Sequence, residues 1–137
     1  MARVPITPTS VELACAVPSE PASDTRTDLG VVHDSLFDGE QMLGVYRGCE
    51  EGVRLLAVTN RRVMMVETTS CTGRRALTSV PFARVTSVSY LASPDEPVAE
   101  STTVAIRVVS TWYQLGCATE EEARELHDLI AWHLVCV

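Results

Sequence analysis

The chain has 137 residues, of which 46% are hydrophobic, 21% charged and only 5% aromatic; this is enough for one domain with a core built mostly of Val, Leu and Ala. That apolar content excludes a wholly disordered chain, and no apolar run approaches the ~20 residues of a membrane helix. A net charge of −7 and a pI near 4.9 argue against nucleic acid as a partner. All 11 basic residues are Arg. Charge is unevenly placed, with −5 on residues 1–41, +2 on 42–117 and −4 on 118–137, so the overall pI hides a mildly basic middle.

Residues 1–34 read as an acidic tail rich in Pro, Ser and Thr, ahead of a domain over 35–137. Four of the seven prolines (Pro5, Pro8, Pro18 and Pro21) fall in this segment. Such a stretch buries too little apolar surface to offset its backbone entropy, which predicts a disordered state. A signal peptide does not fit, because Pro5, Pro8 and Glu12 interrupt the apolar run. The string Glu12-Leu13-Ala14-Cys15 is similar to a lipoprotein cleavage site, but Glu12 stands where an apolar residue is required. These readings point to a cytoplasmic location.

From residue 42 the pattern becomes β-like. Apolar runs at 42–48 and 53–59 flank a Gly-bounded connection and read as a hairpin. Asn60-Arg61 turns the chain into a run over 62–68, with Asn60 suited to a left-handed turn conformation. A turn around Gly73 leads into 74–80, and Pro81 marks a strand end because it donates no ladder hydrogen bond. A fifth run spans 85–91, where the three-residue spacing of Val85 and Val88 predicts a local irregularity. Runs at 103–109 and 111–117 surround a tight turn at Ser110. Seven short strands at near-regular spacing predict a sandwich or barrel.

The last segment has helical periodicity. Thr119-Glu120-Glu121-Glu122 fits a capping box, and its acids suit the positive end of the helix dipole. Ala123, Leu126, Leu129, Ile130, His133 and Leu134 then share one face of a helix over 119–135. Trp132 lies off that stripe, which predicts partial exposure.

Val58-Thr59-Asn60-Arg61-Arg62-Val63-Met64-Met65-Val66 and Val80-Pro81-Phe82-Ala83-Arg84-Val85-Thr86-Ser87-Val88, with Asp38-Gly39-Glu40 and Leu43 ahead of them, resemble bacterial pleckstrin-homology-like (PH-like) domains and the related GRAM domains. The resemblance covers about residues 35–135 and matches in element order. It implies a mainly β fold: a seven-stranded, partly open barrel of two near-orthogonal antiparallel sheets, closed by one C-terminal amphipathic helix. This scaffold carries many binding functions and does not itself name a ligand.

No reactive constellation accompanies the fold. Cys15, Cys49, Cys71, Cys117 and Cys136 show no short paired spacing, and their odd number predicts free thiols. His127 and His133 are six apart and do not form an i, i+4 metal pair, and His133 with Cys136 lacks further ligands. With no nucleophile elbow and no phosphate-binding Gly loop, we expect no catalytic residues, no metal, no cofactor and no enzyme activity.

The expected function is a non-enzymatic binding or scaffolding module that engages protein partners or itself. The candidate surface comprises Arg47, Arg54, Arg61, Arg62, Arg74, Arg75 and Trp132. The alternative is a peripheral membrane or lipid-headgroup binder, since phosphoinositide-binding PH domains place basic residues around the first hairpin loop. Here Arg47 and Arg54 supply part of that set, while Leu56 breaks it and Glu50-Glu51 oppose a polyphosphate. Trp112 and Tyr113 alternate in face, so one is expected to enter the core. A homo-oligomer is expected from the resemblance and from two uncharged edge-strand candidates, 42–46 and 111–117. A second route to self-association sets Asp24 and Asp28 of the tail against the Arg doublets of a neighbouring copy.

Overall fold

The computed structural model describes residues 22–49, 52–68 and 73–136, with side chains from residue 27 onward. A helix α1 (Ala22–Asp34) is followed by seven strands: β1 (Met42–Arg47), β2 (Val53–Thr59), β3 (Arg62–Thr68), β4 (Arg75–Pro81), β5 (Ser87–Leu91), β6 (Thr103–Val108) and β7 (Thr111–Gly116). Helix α2 (Glu120–Val135) ends the described chain, and single 3-10 turns stand at Phe82–Arg84 and Val98–Glu100. The strands form two antiparallel sheets, ordered β1-β2-β3-β4 and β5-β6-β7.

The main core lies between the sheets, where Leu56, Val58, Val63 and Met65 of the first meet Val104, Ile106 and Leu115 of the second. Helix α2 covers it with Ala123, Leu126 and Ile130 and packs against β5, β6, β1 and the first 3-10 turn. Each such aliphatic side chain contributes roughly 1.5–3 kcal/mol on burial. The cap is as expected, with the Thr119 hydroxyl accepting from the Glu122 amide at 3.1 Å. The two histidines of α2 stack on aromatic rings, His127 on Tyr90 at 4.2 Å and His133 on Phe82 at 4.4 Å.

A second, smaller core lies on the outer face of the first sheet. Val45, Leu55, Ala57, Met64 and Val66 point outward and are covered by Val32 of α1, with Leu29, Leu36 and Met42 around them. The tail expected over 1–34 is therefore structured in its last part: residues 22–34 are helical, and Val32 is fully buried. Residues 1–21, with Cys15 and the prolines on which the tail reading rested, lie outside the described residues.

Three local expectations are corrected. Among the described residues other than Gly, only Val109 has positive φ, at 59°, so Asn60 is not left-handed. Its turn is held by the Thr59 hydroxyl, which accepts from the Arg61 and Arg62 amides at 3.0 Å each, while the Asn60 side chain accepts from the Gln41 amide at 2.9 Å. The β6–β7 turn strains Val109 rather than Ser110, because positive φ is unfavourable for a β-branched residue. Cys49 is disulfide-bonded, against the expectation of five free thiols; Cys117 and Cys136 are free. The Val85–Val88 spacing has a simple cause: Val85 follows the 3-10 turn, and strand geometry begins only at Ser87.

Candidate functional site: the arginines of the first sheet

The six arginines singled out by sequence fall on the first sheet and its turns, and they divide between its two ends. Arg47, Arg54, Arg74 and Arg75 lie where β1 and β3 end and β2 and β4 begin. Arg61 and Arg62 belong to the β2–β3 turn at the other end. Trp132 joins neither group; it stands on α2, is 59% exposed and meets the His133 ring edge-on.

At the first end, a β-bulge sets the geometry. The β2–β3 register shifts between Val53 and Leu55, so Arg54 is an extra residue. Val53 faces the main core and Leu55 the outer core, and the bulge leaves Arg54 on the outer side as well. There its Nε donates to Asp28 of α1 at 3.3 Å, and Arg75 Nη1 donates to the other oxygen of Asp28 at 3.2 Å. Asp28 is buried, and its two partners come from different strands. Asp28 thus meets Arg75, a member of one Arg doublet, within its own chain. Arg47 is also buried here, whereas Arg74 is exposed.

At the second end, Arg62 is a partly buried tie rather than a free cation. Its Nε and Nη2 donate to the two carboxylate oxygens of Glu40 at 2.9 and 3.0 Å, a bidentate pair. Nη2 also donates to the Ser35 carbonyl at 2.7 Å, Nη1 to the Ser79 hydroxyl at 3.0 Å, and the guanidinium lies 4.5 Å above the Phe37 ring. Glu40 accepts further from the Thr59 hydroxyl at 2.7 Å and the Phe37 amide at 3.0 Å. Burial alone would push its carboxyl up, but these donors and the Arg62 charge outweigh it and hold the group down at about 2. The turn carrying Glu40 needs a positive φ of 83° at Gly39, which explains the Asp38-Gly39-Glu40 string.

The sequence sets Asp28 against the Arg doublets, Arg75 among them, but of another copy, and it does not pair Arg54 with Asp28 or Arg62 with Glu40. Leu29, Val32 and Leu36 are spaced three and four apart, a helical signal overshadowed by the prolines upstream. Chemically, the two groups recognise carboxylates. The Cys117 thiol is buried and pushed up to about 12, first by desolvation and then by the Glu122 charge. Among the described residues no group of three His, Cys, Asp or Glu side chains can hold a metal ion, and no helix is long and apolar enough to cross a membrane.

Two solved structures are similar to this chain in fold. One is a pleckstrin homology domain from Shewanella amazonensis SB2B, with TM-score 0.56 and 15% identity over 80% of this chain and 96% of that one. The fold is PH-like. The other, a DUF1696 family protein with a pleckstrin-homology domain from Shewanella loihica PV-4, gives TM-score 0.51 and 17% identity over 82% and 92% of the two chains. At these identities the likeness concerns the fold alone, and it does not bear on a relation to GRAM domains. No protein-family model and no curated protein matches the sequence. In this PH-like fold the two acid–arginine groups lie on the outer face of the first sheet.

Proposed function

We propose that this PH-like chain is a non-enzymatic module that binds protein, copies of itself included. The observation that carries this reading is the free edge of β4. Among the described residues β4 has β3 as its one strand neighbour, and its side chains are mostly exposed. From Ala76 to Val80 it bears no charge, and Leu77 within it is exposed. An uncharged edge of this length is a template for an added strand. The other edges are less open: the Cys49 amide donates to the Gly116 carbonyl where β1 and β7 approach, and α2 packs along β5.

Lipid-headgroup binding draws less support, because Arg54 and Arg75 share Asp28 and Arg62 holds Glu40. A cytoplasmic location has the weakest support, since a disulfide at Cys49 suits an oxidising compartment better. Light scattering over a range of concentrations tests the leading reading. A mass above 14.9 kDa that falls to the monomer in Leu77→Lys supports self-binding through β4. Sedimentation with anionic vesicles, lost at physiological salt, would favour the lipid reading instead.

A further inference from the structure

The two anchors of the N-terminal segment differ in strength. Glu40 is fully enclosed, its partner Arg62 is 13% exposed, and their pair is bidentate. Asp28 takes one hydrogen bond from each of two arginines that are 24% and 41% exposed, at the longer distances of 3.3 and 3.2 Å. Water can therefore replace the Asp28 contacts far more easily than those of Glu40. The helix between them is intrinsically weak: Thr27, Gly30, Val31 and Val32 are poor helix formers, and 13 residues do not sustain a helix alone. The connection that follows is firm, because Arg62 grips the Ser35 carbonyl and Asn60 grips Gln41. A marginal helix on a fixed hinge covers a rigid sheet face.

That face has a definite chemistry. It offers apolar side chains (Leu55, Met64 and Val66) with Arg54 and Arg75 beside them on neighbouring parts of the sheet. Its present occupant, α1, shows what it recognises: an apolar residue one helical turn after a carboxylate, as in Asp28 and Val32. The segment 22–36 is itself acidic, with Asp24, Asp28 and Asp34 against Arg26.

We propose that the outer face of the first sheet is a docking site for an acidic amphipathic helix of a protein partner, and that α1 is the intramolecular occupant that swings off to admit it. This rests on the reading of the chain as a protein-binding module but uses the outer face of the first sheet, Arg75 of β4 included, and not the backbone edge of β4. The probe is a fluorescent peptide of residues 22–36, titrated against the full chain and its Asp28→Ala variant. The variant should bind at least tenfold more tightly than the unaltered chain, and a peptide carrying Asp28→Arg should lose that binding. Equal affinity for both proteins, or binding to neither, overturns the proposal.

Hydrogen exchange on the unaltered chain keeps the test decisive if Asp28→Ala does not fold. Amides of α1 should exchange at least 100-fold faster than those of β2 and β3, through an opening insensitive to low denaturant. Exchange of α1 at the same rate as β2 and β3 overturns the proposal. Binding of the 22–36 peptide by Asp28→Ala at concentrations where light scattering finds a monomer separates this face from self-association through the β4 edge, so failure at β4 and failure at this face are read separately.

Discussion

The outer faces of the two sheets differ sharply. On the first sheet, Val45, Leu55, Ala57, Met64 and Val66 are buried under α1, with charges only at the two ends. On the second, Arg107 is exposed, as is Trp112 at 50%, and the Arg107 guanidinium lies 5.8 Å from the Trp112 ring centre. The lesson is in the strand sequences. Val53–Thr59 and Arg62–Thr68 are nearly continuous apolar runs because both of their faces are covered. Thr111–Gly116 mixes polar and apolar positions because one face meets water.

Removing the Arg62 guanidinium should have the largest effect, because it leaves the enclosed Glu40 without its counter-charge. Arg62→Ala is expected to destabilise the chain by about 3–5 kcal/mol in urea unfolding. A cost near that of an exposed arginine would show that the first sheet's outer face is not held by this tie.

The contrast between faces is sharpened by paired truncations. Met64→Ala on the covered face should cost about 2–5 kcal/mol. Trp112→Ala on the open face should cost less than about 1 kcal/mol. Similar costs would break the comparison.

Acid should act on the covered face through Glu40. Its folded value of about 2 lies below the ordinary 4.5, so its contribution is complete above about 4.5 and disappears as pH falls through about 2. The Tm difference between the unaltered chain and Glu40→Gln should follow that course and vanish near pH 2. A difference that persists at low pH would mean that the carboxylate charge is not what the cluster uses.

The smallest effect belongs to the turn of the open sheet. Val109→Gly removes a β-branched side chain from φ 59° and should raise stability by about 1 kcal/mol, seen as a modest rise in Tm. A fall would show that the Val109 side chain makes contacts that outweigh the strain.

Much of the fold was legible in the sequence. All seven strands lie within a few residues of their apolar runs, and Thr119 caps the last helix, because alternation, turn residues and caps act through near neighbours. The arginines were legible as a set but not in their roles. Arg54 and Arg75 are 21 residues apart in sequence, and only the bulge in β2 and the pairing of β3 with β4 bring both to Asp28.

What the sequence determined by itself was the local grammar: seven strands, one capped helix and no membrane-length apolar run, each set by interactions spanning a few residues. What only the tertiary structure decided was the fate of the charges and the second face of the first sheet. A weak helix-forming segment became helix α1 because a ready apolar sheet face and two arginines were there to receive it. Glu40 became a buried anion because Arg62, 22 residues away, neutralises it there. Desolvation and pairing depend on what the fold brings together, and sequence separation says nothing of that distance.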